Sequence, residues 1–73
     1  MRRPELTVKQ ILDWADSFHR RNRQWPSVKS GRVAGTLDEH WVSINHSLRL
    51  GYRGLNGGQT LATLWAKYRG RRH

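Results

Sequence analysis

The chain has 73 residues, with fourteen Lys and Arg against five Asp and Glu, a formal net charge of +9 at pH 7. A chain of this length holds one domain and buries only roughly 60% of the surface that its unfolded form exposes, so its large apolar residues are needed for the core. It contains no cysteine, and its four histidines lack the spacing of a metal site. We therefore expect no disulfide, metal or cofactor, and helix packing must stabilise the fold alone.

The excess of positive charge favours a polyanionic partner. Eleven of the fourteen cations are arginine, whose planar guanidinium matches phosphate and the guanine edge and stacks on bases. This bias points to nucleic acid rather than to a membrane surface. Because no apolar stretch approaches the length that spans a bilayer, we expect a soluble, cytoplasmic protein with no membrane partner.

The first predicted element is a helix near residues 7 to 22. Thr7 and Gln10 form a capping box at its start, and Asn22 is expected to take the left-handed cap before Pro26. Apolar residues recur at spacings of three and four along this helix: Val8, Ile11, Leu12, Ala15 and Phe18.

Residues 27 to 35 have two glycines and no helical period, which indicates an irregular loop. Within it, the stretch from Lys29 to Arg32 is similar to arms that lie along a phosphate backbone or enter a minor groove. A flexible connector is the alternative interpretation.

A second helix is predicted near residues 36 to 50. Thr36 and Glu39 have the spacing of another capping box, and Gly51 is the expected stop. The apolar stripe that follows the cap is made of Leu37, Trp41, Ile44 and Leu48.

The third helix is predicted near residues 59 to 69, and Gly70 ends it. The glycine-rich stretch from Gly54 to Thr60 before it either holds one phosphate with its backbone amides or is a plain turn, and Leu55 is expected to turn inward. The apolar stripe of this helix is Leu61, Leu64, Trp65 and Tyr68.

The aromatic residues divide into two groups. Trp41 and Trp65 lie on apolar stripes, which predicts core positions. Trp14, Trp25 and Tyr52 lie at the borders of their elements and fit either the core or a stacking surface for single-stranded bases.

The candidate site is a basic surface that contacts phosphates, combined with a helix that reads bases. Helix two offers Ser43, Asn45, His46 and Arg49 for that reading. Helix three competes with it through a second polar set: Gln59, Thr60, Thr63 and Lys67. The complete predicted site is Arg20, Arg21, Arg23, Lys29, Arg32, Asn45, Arg49, Arg53, Gln59, Thr60 and Lys67, and the phosphate-contacting cluster also takes in Arg69, Arg71 and Arg72.

No arrangement of residues predicts catalysis. The histidines do not pair with carboxylates in a metal signature, and the few acidic residues cannot build a two-metal nuclease site. We therefore expect a binding protein and not an enzyme.

Several motifs support a resemblance to a known family. They are an amphipathic first helix, the exit Arg23-Gln24-Trp25-Pro26 in place of a Gly-x-x-Pro turn, a helix begun by Thr36 that contains Trp41, and then Arg53-Gly54-Leu55 and Gly57-Gly58 before Leu61 and Leu64. The segment from Ile11 to Leu48 resembles homing endonuclease associated repeats, and the later motifs resemble small uncharacterised helical domains of planctomycete-type bacteria. The repeats accompany nucleases as DNA-binding appendages, so the resemblance implies a bacterial protein that binds DNA without catalysis. The chain lacks their second Phe-Gly-x-Trp element.

Together the patterns predict an all-α fold, a compact three-helix bundle related to helix-turn-helix domains, formed by one domain over residues 1 to 73 with short basic tails at both ends. The predicted partner is nucleic acid, DNA rather than RNA. The alternative is a protein-interaction module, an adaptor or an antitoxin-like protein that binds an acidic partner.

Overall fold

Three helices form the computed structural model, which describes residues 5–70. They are α1 (Val8–Asn22), α2 (Trp41–Leu50) and α3 (Leu61–Arg69). No strand is formed within the described residues, and β-type pairing there is limited to an isolated antiparallel bridge between Arg32 and His40. The fold is all-α, as predicted.

The helix α1 spans the predicted range, but a different residue caps its carboxyl end. The Thr7 side chain accepts a hydrogen bond from the Gln10 amide at 3.1 Å. At the other end the left-handed cap is Arg23, with φ of 59°, and not Asn22. Asn22 stays in the last turn, where its Nδ2 donates to the carbonyl of Phe18 at 3.0 Å.

The helix α2 begins at Trp41, so the predicted start at Thr36 is wrong. The Thr36 hydroxyl donates to the carbonyl of Val33 at 2.6 Å and caps no helix. The amide of Val33 donates to the carbonyl of Glu39 at 2.7 Å, and that of Trp41 donates to the carbonyl of Gly31 at 2.9 Å. These bonds hold the chain before α2 in an extended path, and the predicted local capping box does not form.

The shifted start also removes Leu37 from the apolar stripe, because its side chain is 95% exposed. Asp38 and Glu39 precede α2 and are not in its first turn. The predicted end is confirmed, since Gly51 takes the left-handed cap with φ of 77°. A side chain there would also be crowded, because a Cβ would lie 3.2 Å from the carbonyl oxygen of Leu55.

The helix α3 is capped from two directions. Thr60 and Thr63 form a reciprocal capping box, and the Oδ1 of Asn45 accepts the Leu61 amide at 3.0 Å, which ties α3 to α2. Tyr68, predicted on the apolar stripe, is 42% exposed.

The core lies between all three helices, and Trp41 and Trp65 are fully buried within it, as predicted. Their rings meet edge to face with centroids 6.2 Å apart. Phe18 of α1 makes the same kind of contact with Trp41 at 6.3 Å, an arrangement that aromatic quadrupoles favour. Leu55 is half-buried against this core, as expected. The buried apolar residues are Leu6, Ile11, Leu12, Ala15, Val33, Trp41, Ile44, Leu48, Leu61, Leu64 and Trp65.

None of the helices in residues 5–70 is both long enough and apolar enough to cross a membrane.

Candidate functional site

The segment that follows α1 folds back onto the last turns of that helix. The ring of Trp25 stacks on His19, with centroids 4.2 Å apart, and also on Trp65 at 5.8 Å. The indole Nε1 of Trp65 donates to the carbonyl of Pro26 at 2.9 Å. These contacts fix the path of the chain as it leaves the helix. Four exposed cations border this path, and we call them the exit cluster: Arg20, Arg21, Arg23 and Lys29.

The predicted arm from Lys29 to Arg32 is hydrogen-bonded into the fold. The Ser27 amide donates to the Ser30 hydroxyl at 2.9 Å, and the carbonyl of Gly31 accepts the Trp41 amide. The bridge between Arg32 and His40 then places the exposed Arg32 beside the amino end of α2. The stretch is therefore tied to the fold by hydrogen bonds, and its contact with a phosphate backbone stays a prediction.

Arg53, one of the predicted phosphate contacts, has a partner within the fold. Its guanidinium donates two hydrogen bonds to the Glu39 carboxylate, at 2.9 and 2.8 Å. These bonds raise the pKa of Arg53 above its ordinary value. Since its side chain is only 11% exposed, we drop Arg53 from the candidate contacts. Two side chains fourteen residues apart give no sequence signal of such a pair.

Two further cations are paired with carboxylates. Arg69 donates two hydrogen bonds of 2.7 Å to Asp16, joining the end of α3 to α1. The bond from Arg69 lowers the pKa of Asp16, against the opposing effect of burial. Lys9 lies 3.0 Å from Asp13, one turn along α1. Among the described residues, Asp13, Asp16 and Glu39 therefore bind cations of the fold.

The remaining cations of residues 5–70 have no carboxylate within ion-pair distance. All of them are exposed. They are Arg20, Arg21, Arg23, Lys29, Arg32, Arg49 and Lys67. Arg71 and Arg72, with the predicted basic tails, lie outside the described residues.

The glycine-rich turn before α3 uses its own amides. The amide of Gly58 donates to the carbonyl of Arg49 at 2.9 Å, and that of Gln59 donates to the carbonyl of Leu48 at 3.2 Å. The Thr60 amide donates to the Thr63 hydroxyl at 2.8 Å. Because successive amides are already satisfied, this stretch fits the plain turn better than a phosphate site.

The two candidate reading helices differ in what they leave exposed. Asn45 of α2 is half-buried and accepts the Leu61 amide, and Thr60 and Thr63 cap α3 with each other. On α2, His46 and Arg49 are exposed. Val42, which the sequence analysis did not single out, is 54% exposed on the same helix. Because Trp41, Ile44 and Leu48 face the core, the helical period places Val42 on the solvent side of α2.

Gln59 and Lys67, two predicted contacts of helix three, line one groove of about 330 Å³ beside Tyr68. The ammonium of Lys67 lies 5.3 Å from the centroid of the Tyr68 ring. This groove runs between α3, the turn before it and the start of α1.

For three aromatic residues the sequence left open whether they lie in the core or on the surface, and the structure distinguishes them. Trp14 and Trp25 are partly buried against the core. Tyr52 is 52% exposed, and its ring lies 5.6 Å from that of His46. Trp25 already stacks on two rings, which makes it a poor platform for an added base.

Within residues 5–70, no three His, Asp or Glu side chains come together as a metal site would require. The chain matches no protein-family model, no curated protein and no solved structure in comparisons with all three. The helices define the class of the protein as an all-α, three-helix domain. The resemblance to homing endonuclease associated repeats stays a prediction.

Proposed function

We propose that the protein binds nucleic acid, with DNA as the preferred partner, through phosphate contacts of its exposed cations and with a helix directed toward the major groove. The observation that carries the proposal is that some cations are paired with carboxylates while others are exposed without such a partner. Three carboxylates are bound by Lys9, Arg53 and Arg69, whereas the exit cluster, Arg32, Arg49 and Lys67 are exposed and have no carboxylate of residues 5–70 within ion-pair distance. Such cations can displace condensed counterions from a phosphate backbone.

The hydrogen bonds that hold the stretch from Lys29 to Arg32 against the fold support the same proposal. Phosphate contacts position a protein on a duplex when they come from rigid elements. The exit cluster is built on the last turns of α1 and on a segment that Trp25 and Pro26 hold against the fold, and the bonds of Gly31 and Trp41 hold Arg32.

The protein-interaction alternative would be favoured by an exposed patch that includes Trp14 or Trp25. Both rings pack against the core, so this specific support is missing, and binding of an acidic protein becomes an outcome of the test.

The test is a titration of labelled duplex DNA, single-stranded DNA and RNA at several salt concentrations. Each neutralised phosphate contributes about 0.9 to the slope of log affinity against log salt, and we expect a slope of roughly 4 to 6 on duplex DNA. Arg21→Gln and Lys29→Gln should each lower the slope by about one.

Lys9→Gln is the matched control, because it removes the same charge from a cation already paired with Asp13, and its slope should change less. Tighter binding to RNA would reassign the partner within nucleic acids. No binding at physiological salt, or an affinity indifferent to salt, would overturn the proposal in favour of a protein partner.

A further inference from the structure

The outward face of α2 combines basic and apolar side chains. Trp41, Ile44, Ser47 and Leu48 are buried on one side of this helix. At about 100° per residue, His46 lies opposite the middle of that buried side. Three exposed neighbours flank it within about 60° on either side: Val42, Arg49 and Leu50.

The corresponding face of α3 offers fewer groups for recognition. By the same geometry its outward positions are Ala62, Thr63, Ala66 and Lys67. Alanine has no hydrogen-bonding side chain, and Thr63 is bonded to Thr60. Lys67 alone remains on this face, and an ammonium reads bases less specifically than a guanidinium.

The ends of α2 are placed for a groove. Its ten residues span about 15 Å, comparable with the major-groove width of about 12 Å. Arg32 is held at the amino end by the bridge to His40, and Arg49 lies in the last turn. The helix itself carries no carboxylate. Asp38 and Glu39 precede it, and the carboxylate of Glu39 is bound by Arg53.

We infer that α2 is the helix that enters the major groove and that Arg49, His46 and Val42 read base edges there. The inference rests on the proposed function and assigns its specificity. Arg49 would make the paired hydrogen bonds to O6 and N7 of a guanine, His46 would bond a neighbouring base, and Val42 would contact a thymine methyl. Tyr52, whose ring lies 5.6 Å from that of His46, would hold the imidazole in position.

The charge of this face decides its occupant. A second copy of the chain would bring the positively charged surroundings of Arg49 against themselves, whereas a DNA groove supplies the opposite potential. Duplex DNA is therefore the partner to which the inference commits.

The test compares a selected duplex with a random one. Duplexes bound by the wild-type protein are enriched from a randomised pool, and affinities for the selected and a scrambled duplex are measured for the wild type and four variants. Arg49→Lys keeps the charge but loses the planar fork, so it should retain binding to the scrambled duplex and lose about 10-fold to 100-fold on the selected one. Arg49→Ala should lose the same preference for the selected duplex. Because it also removes the charge, it should weaken binding to both duplexes by about the effect of one phosphate contact.

Lys67→Ala is the control, because it removes one charge from the outward face of α3 and should weaken both duplexes equally. Circular dichroism checks that each variant is folded. A wild-type protein that binds DNA without any preference, or an Arg49→Lys variant that keeps the preference, would overturn the inference while the proposed function stands. A change in sedimentation mass on Val42→Ser, with the base preference intact, would assign the face to a second copy instead. Binding to single-stranded DNA or RNA but to no duplex would overturn the inference, and no binding to any of these nucleic acids would overturn the proposed function itself.

Discussion

Arg53 binds Glu39 across α2, from the segment that follows the helix to the segment that precedes it. Two hydrogen bonds of 2.9 and 2.8 Å form between the guanidinium and the carboxylate, and the two side chains are 11% and 15% exposed. Both flanking segments lack regular structure, so this pair fixes them relative to each other.

Loss of the Arg53 guanidinium should therefore be costly. We expect Arg53→Ala to lower the free energy of unfolding by about 2 to 3 kcal/mol, because it leaves a largely buried carboxylate without this partner. Chemical denaturation measures the change, and Arg49→Ala, at an exposed position, should stay within about 0.5 kcal/mol of the wild type. Equal stability of the two variants would contradict a structural role for Arg53.

Arg23 should show a conflict between stability and binding. It takes the left-handed cap of α1 with φ of 59°, a conformation that costs a non-glycine residue about 1 kcal/mol. Arg23→Gly should raise the stability by about 0.5 to 1 kcal/mol and weaken DNA binding, since a phosphate contact is lost. Arg21→Gln, the control, should weaken binding without the gain in melting temperature.

The two central tryptophans should respond differently to the same truncation. The Nε1 of Trp65 donates to the carbonyl of Pro26, whereas the Nε1 of Trp41 is buried without an acceptor among the described residues. Both changes to phenylalanine remove the same volume, but Trp65→Phe also breaks a bond and leaves a carbonyl unsatisfied. In thermal or chemical unfolding, Trp65→Phe should lower the free energy of unfolding by about 1 to 2 kcal/mol more than Trp41→Phe. A larger loss of stability in Trp41→Phe would contradict the hydrogen bond from Trp65 to Pro26.

The caps of α3 should matter more than the hydroxyl of Thr36. Thr60→Ala and Asn45→Ala each remove an acceptor for a helix amide and should each cost about 1 kcal/mol. Thr36 caps no helix, so the helix content of Thr36→Ala should match that of the wild type. A loss of helical signal in that variant would restore a helix start at Thr36.

The pair of Asp16 and Arg69 should make stability depend on pH under acidic conditions. The pKa of Asp16 is lowered in the fold, chiefly by the bond from Arg69, so its contribution is present above its ordinary pKa and is lost as the pH falls through the lowered one. The difference in melting temperature between the wild type and Asp16→Asn should be largest above about pH 5 and shrink toward about pH 2. A constant difference across this range would contradict the shift.

The sequence predicts the helices well where local signals and packing agree. Thr7 begins α1, Gly51 ends α2, and the stripes place Trp41 and Trp65 in the core. At Thr36 the local signal predicts a helix start that does not form. Its capping pattern is real in sequence, yet the nonlocal bonds of Val33 and Trp41 hold the chain in another path.

The candidate site could be predicted only as a set of residue types. Arg21 and Arg53 look alike in sequence, but one is exposed and the other holds a carboxylate. Asn45 likewise has the chemistry to read adenine, and the fold uses its oxygen for the Leu61 amide. Which polar groups stay available is decided by tertiary partners, and these leave no periodic signal.

The aromatic contacts at the centre have a consequence for how the protein unfolds. Phe18, Trp41 and Trp65 belong to three different helices and touch in one chain of rings. Helices of 15, 10 and 9 residues are at or below the length that persists alone in water. Losing any one helix exposes rings of the other two, so partly folded forms have no stable core of their own. We therefore expect cooperative unfolding, with helical signal and tryptophan burial lost in a single transition.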